Sequence, residues 1–226
     1  TGPGAQVSVD TINWTPATSG VTALADIAEF AALGQGAFTL YLRDADEHGN
    51  SGTDSRALVK DTVAPAVLAI VRADADPTGA DAVNFTVTFD SAVTGVDATD
   101  FALALSGTAG GTIGAVTGSG NSWNVEVTPV TGTGTLGLDL ADDDSISDLA
   151  GNPLGGAGPV NGDFTGEQYT LDNTAPAVAI TAPATNAPVN GTQPIAFTSN
   201  DATGPGAQVS VDTINWTAVI SGVTTF

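Results

Sequence analysis

The chain has 226 residues, with 4 Lys+Arg against 25 Asp+Glu, a formal net charge of -21, no Cys, no Met and a single His. No basic patch can form to release phosphate counterions, so nucleic-acid binding is excluded, as is docking on an anionic membrane through clustered cations. The absence of Cys excludes disulfides and thiolate chemistry, the lone His48 excludes any site built from two histidines, and no apolar run of about 18 residues predicts a membrane-spanning helix.

The acidic residues are 21 Asp and only 4 Glu, and Asp favours turns and caps where Glu favours helices. Disorder is the default for so charged a chain, but 42% hydrophobic residues and clean apolar alternation argue against it. In chain order, Leu24–Leu33 alone carries helical spacing and is read as a helix or as a single turn in a loop. Strands are predicted at Phe38–Leu42 and Arg56–Lys60, then at Val67–Val71, Val83–Phe89, Phe101–Leu105, Ile113–Val116, Trp123–Thr128, Thr135–Leu140 and Tyr169–Leu171. Further strands are predicted at Val178–Thr181, Ile195–Thr198 and Val209–Val211. Phe85, Val87 and Phe89 share one face of a period-two pattern, as do Trp123, Val125 and Val127, and Leu136, Leu138 and Leu140. The class is all-β, with short strands punctuated by Gly, Pro, Asp and Asn as in a sandwich.

Two repeats organise these strands. Thr1–Thr15 (TGPGAQVSVDTINWT) recurs unchanged as Thr203–Thr217, an offset of 202 residues. Inside that period, Asp61-Thr62-Val63-Ala64-Pro65 parallels Asp172-Asn173-Thr174-Ala175-Pro176 at an offset of 111. Pro fixes φ, removes a donor and drives the preceding residue into extended geometry, so these D-x-x-A-P junctions are short and stiff. The expected organisation is tandem immunoglobulin-like β-sandwich modules. Residues 1–63 are the C-terminal part of one module, 64–174 a complete module, and 175–226 the N-terminal part of the next, of the same type as 1–63. Joining 175–202 to 1–63 gives a composite of 91 residues, the difference between the two offsets.

The D-x-x-A-P junctions, the G-N turns of Asp44–Asn50 and Asp148–Leu154, and the segment FTVTFDSAVTGVDATDF (Phe85–Phe101) together resemble the bacterial Ig-like repeats of giant secreted surface proteins, including the extender regions of RTX-type adhesins. The resemblance implies a stalk that holds a binding tip away from the cell, with calcium rigidifying the junctions. The glycine-rich nonapeptide calcium repeat is absent.

Calcium takes six to eight oxygen ligands. The candidate ligands are Asp142, Asp144, Asp148, Asn152 and Asp172 in the complete module, Asp44, Asp46, Asn50 and Asp61 in the first, and Asp74 and Asp76 after the first junction. The competing reading is that these residues form Asx turns and solvate loops, a role expected at both D-x-x-G-N segments. His48 is read as exposed and inert, and no G-x-S-x-G elbow is present. Trp14, Trp123 and Trp216 are read as core residues, and the T-x-T-x-T run of Thr131, Thr133 and Thr135 as a loop entering a strand. The expected function is a non-enzymatic structural segment of an extracellular bacterial fibre or adhesin stalk. Its partners would be neighbouring repeats, through head-to-tail contacts, with no ligand-binding residues assigned. The alternatives are a glycan- or protein-binding module and a self-assembling filament subunit.

Overall fold

The computed structural model describes residues 4–190, 193–199, 208–211, 214 and 217–218. Strands β1 (Gln6–Ser8), β2 (Thr15–Pro16), β3 (Gly36–Ala45) and β4 (Ser51–Lys60) form one antiparallel sheet in the order β2-β1-β3-β4. The β3–β4 hairpin pairs from Gly36↔Lys60 to Ala45↔Ser51; it ends at Lys60 as predicted and runs further than predicted toward the turn at Asp46–Asn50, which closes it tightly. Leu24–Asp26 is a single 3₁₀ turn, so the helical spacing belongs to a loop. Ile27 is 2% exposed under that loop. Lys60 reaches the loop from the end of β4, and its ammonium donates to the carbonyl oxygens of Phe30, Ala31 and Leu33 at 2.9, 3.2 and 2.7 Å. A charge this buried needs its donors satisfied, and three carbonyls do so.

A complete sandwich follows. Strands β5 (Val67–Arg72), β6 (Val83–Phe89), β7 (Val93–Thr94), β8 (Phe101–Leu105), β9 (Ile113–Ser119), β10 (Ser122–Val127), β11 (Gly134–Leu140), β12 (Ser147–Asp148) and β13 (Phe164–Leu171) make two principal sheets, β5-β6-β10-β9 and β13-β11-β8. A short β7–β12 ladder closes one side. Strand β6 shows the expected alternation, with Val83, Phe85, Val87 and Phe89 all fully buried and the residues between them half-buried. Leu136, Leu138 and Tyr169 meet that face from the second sheet, each 0% exposed. Gly166 in β13 is tightly enclosed: an added Cβ would lie 2.3 Å from the carbonyl oxygen of Leu138 on the neighbouring strand and 2.7 Å from Ile70 Cγ2 of β5.

The chain continues through a hairpin of β14 (Val178–Ala182) and β15 (Ala196–Ser199) to the two-residue strands β16 (Gln208–Val209) and β17 (Thr217–Ala218). Trp123 packs half-buried against the central core, as predicted. Trp14 corrects the core assignment. It is half-buried, its indole N–H donates to the Thr11 carbonyl, and the Arg43 guanidinium lies 3.9 Å from its ring centroid. Trp216 lies outside the described residues.

Candidate functional site: a clamp between the terminal strands

The first and last strands of the central sandwich run side by side in the same direction. Arg72, the last residue of β5, donates its backbone N–H to Glu167 Oε2 at 3.0 Å and its guanidinium to the Gln168 carbonyl at 3.0 Å. The same guanidinium pairs with Asp76 and approaches Glu167 at 3.4 Å. Beyond β5 the tie continues in parallel register at Thr78↔Leu171: Thr78 N–H donates to the Thr170 carbonyl at 2.9 Å, and Asp172 N–H donates to the Thr78 carbonyl at 3.0 Å.

Tyr169 anchors this seam from inside. Its ring stands edge-on to Phe85, with centroids 5.1 Å apart. Its hydroxyl accepts from Asp74 N–H at 2.8 Å and donates to the Asn84 carbonyl at 2.6 Å. Burial pushes the Tyr169 phenol above its ordinary pKa, so it stays a neutral donor. The ion pairs are partly solvated and contribute about 0–1 kcal/mol each. The stronger holds are the backbone hydrogen bonds and the buried tyrosine.

Both D-x-x-A-P segments are docked onto this sandwich. At the first, Pro65 is buried and its carbonyl accepts from Gly155 N–H at 2.9 Å, while Ala66 and Asp90 exchange two hydrogen bonds of 2.9 and 3.0 Å. Asn152 Nδ2 reaches the Asp61 carbonyl at 3.3 Å. At the second, Asn173 Nδ2 donates to the Gly132 carbonyl at 2.9 Å, and the Thr174 and Thr133 hydroxyls are 3.0 Å apart. The threonine run therefore enters β11 as a loop whose edge holds the outgoing linker.

The two D-x-x-G-N segments form the same turn. Asp46 Oδ1 accepts from His48 and Asn50 N–H, both at 2.8 Å, and Asp148 Oδ1 accepts from Ala150 and Asn152 N–H at 2.8 and 2.9 Å. In each, the Asn side chain donates to the other carboxylate oxygen, at 2.7 and 2.8 Å. The Asn50 side chain leads the backbone donors in holding the Asp46 carboxyl below its ordinary value. At Asp148 burial alone would raise the pKa, but the hydrogen bonds from Asn152, Ala150 and Gly151 outweigh it and the net shift is downward. His48 is exposed in the first of these turns.

The remaining candidate ligands each serve their own nearby donors. Asp44 and Asp61 accept from the nearby N–H groups of Ala45 and Val63, Asp172 from Thr174, and Asp74 from Asn84. Asp76 is paired with Arg72. Asp142 accepts from Asp144 and Gly162 N–H, and Asp144 Oδ2 from Gly158 N–H, while Asp144 Oδ1 is buried without a partner. Among the described residues, no three acidic or histidine side chains gather at metal-binding distance. Calcium takes six to eight oxygens, carbonyls and Asn side chains among them, and here most of the candidate carboxylates also accept from backbone N–H groups. Sequence reasoning missed Arg72, Glu167 and Tyr169. The available signal was the Arg72/Asp76 spacing in a chain with so few cations.

Two facing antiparallel sheets with a buried aromatic core define an immunoglobulin-like sandwich. Residues 61–164, the greater part of this sandwich, match the family model of a bacterial Ig-like domain, which supports an Ig-like repeat family. Domains of this family are commonly found on surfaces or outside cells and are typically non-enzymatic. No curated protein and no solved structure matches the chain. Among the described residues no helix is long and apolar enough to cross a membrane, which says nothing of β-barrels.

Proposed function

We propose that this chain is a load-bearing structural segment of a bacterial cell-surface protein, an adhesin stalk or surface fibre, and carries no catalytic role. The observation that supports this reading is the clamp. A tandem array is pulled through its junctions, so the central sandwich is stretched between the start of β5 and the end of β13. These strands run parallel, and such a pull slides them past one another. The bonds from Arg72 to Glu167 and Gln168, and from Thr78 to Thr170 and Asp172, are then strained together and not peeled one at a time. Docking of Pro65 and Thr174 onto the sandwich leaves little slack at either junction.

The test is to pull single molecules of the chain by its two ends. The expected record contains one high-force rupture that releases about 390 Å of chain for the 64–174 module at roughly 3.5 Å per residue, less the span of the folded module. Unfolding at a force no higher than peeling a hairpin requires would refute the load-bearing role.

A further inference from the structure

At 1% exposure Asp100 is the least exposed acid among the described residues, and it lies inside the central sandwich. It ends a short 3₁₀ turn, Ala98–Asp100, that leads into β8. A capping box places its side chain there: Asp97 Oδ1 accepts from Thr99 N–H at 2.8 Å, and Asp97 N–H donates to Asp100 Oδ2 at 2.7 Å. The other carboxyl oxygen, Oδ1, accepts from the Ser145 hydroxyl at 2.7 Å. The Asp100 carbonyl also accepts from Ala141 N–H at 2.8 Å. The turn before β8 and the loop between β11 and β12 are therefore joined at this one residue.

Two donors are few for an ionised carboxylate kept from water, which has about four lone-pair sites to satisfy. Asp148, nearly as buried, accepts three hydrogen bonds. No cation makes up the difference. From Ala73 onward the chain has no Lys or Arg, and the ion pairs of the described residues join Arg72 to Asp76 and Glu167.

The charged groups that face Asp100 are acids. Asp97 shares its turn. Asp143 comes from the loop between β11 and β12, and its Oδ1 accepts the backbone N–H of Ser145 at 3.0 Å, so one serine serves both carboxyls. Asp142 turns away, to the N–H groups of Asp144 and Gly162. Strand β9 packs against the turn, and neither it nor β8 carries a titratable side chain. Burial first, then the charges of Asp97 and Asp143, pushes the Asp100 carboxyl above its ordinary pKa; the hydrogen bonds from Asp97 and Ser145 oppose the shift without cancelling it.

We infer that the Asp100 carboxyl is a proton-binding site that holds these two loops together more firmly as the surroundings acidify. The neutral acid keeps the Asp97 N–H on one oxygen and donates from the other to Ser145 Oγ, since a hydroxyl accepts as well as donates. The folded chain then binds this proton more tightly than the unfolded chain. The carboxylate therefore destabilises the fold in full above the folded pKa, and the loss is relieved as pH falls through that value toward the unfolded 3.8. Asp148 acts in the opposite sense, because its folded pKa is depressed. None of this depends on the load-bearing role.

Asp100→Asn in the full chain fixes the neutral form at every pH: its amide oxygen accepts from Asp97 N–H and its Nδ2 donates to Ser145. Urea unfolding of both chains between about pH 7 and pH 4.5 reads the difference in midpoint, in which titrating groups away from the site cancel. Wild type is expected to gain on the variant as pH falls, whatever the offset at neutral pH. A difference that stays constant, or that moves in favour of the variant, would overturn the inference. If the variant does not fold, a carbon-detected NMR titration of the wild-type carboxyls decides. An Asp100 side chain that titrates above 3.8 supports the site, and one that titrates at or below 3.8 overturns it.

Discussion

Replacing Tyr169 with Phe isolates the hydroxyl at the centre of the clamp. The ring is 0% exposed and stacks edge-on to Phe85 at 5.1 Å, so Phe fills the same volume in the same contact. What is lost is one bond from Asp74 N–H and one to the Asn84 carbonyl. The Asn84 carbonyl keeps the Ala73 N–H at 3.0 Å, whereas Asp74 N–H is left to find water. One lost bond plus one weakened acceptor gives about 1–2 kcal/mol. For a module of this size, each kcal/mol moves the melting temperature by roughly 3–6 °C, so a fall of about 3–12 °C is expected. Thermal melts followed by circular dichroism read the shift, and urea titration should move the midpoint without altering the slope. A melting temperature within 1 °C of wild type would show that the hydroxyl bonds are exchanged for water at no cost and that the clamp is not anchored there.

Asp148→Ala removes a nearly buried carboxylate that accepts three backbone and side-chain bonds, and is expected to cost about 2–4 kcal/mol in urea unfolding at neutral pH. The folded pKa of Asp148 is depressed, so its contribution is present above the unfolded value of 3.8 and is lost as pH falls through the folded value. A wild-type acid limb that is unchanged in the variant would contradict this. Gly166→Ala places a methyl against the Leu138 carbonyl and Ile70, and is expected to cost about 1–3 kcal/mol by overpacking; a neutral effect on the melt would mean that β13 shifts easily there. Because no three acidic side chains gather among the described residues, chelation of calcium is expected to move the melting temperature by less than about 1 °C; a fall of several degrees, matching about 2.7 kcal/mol at a hundredfold excess over the dissociation constant, would place a cation on these carboxylates, with the unpartnered Asp144 Oδ1 the first to substitute.

The strands most legible in the sequence are those with one buried face and no irregularity. Val83–Phe89 and Phe101–Leu105 have the observed ends because apolar alternation starts and stops with the ladder. Strand β13 begins at Phe164, well before the predicted Tyr169, because Gly166 and Glu167 hide the alternation where the register shifts opposite Gly137 and Asp139. The two-residue strands β7 and β12 carry no periodicity to detect. Trp14 misled because composition cannot show that Arg43 would lie over its ring. Asp74 and Asp76 are close in sequence, and closeness in sequence does not show which partners each carboxylate meets. In the fold, Asp74 turns to Asn84 and Asp76 to Arg72. The G-N turns were legible because their bonds span only four residues.

The few basic residues also bear on how such a chain survives among proteases. All four lie in strands: Arg43 in β3, Arg56 and Lys60 in β4, and Arg72 at the end of β5. From Ala73 to Phe226 there is no Lys or Arg at all, so no loop of the central sandwich offers a bond to an enzyme that cuts after basic residues. The single exception within that sandwich, Arg72, is tied to Asp76, Glu167 and Gln168 by the clamp itself. Digestion by a trypsin-like enzyme there must wait for the first strand to leave the last. The rate of cleavage at Arg72 is then governed by how often the clamp opens, so the bonds that tie the first strand to the last also set the protease resistance of the central sandwich.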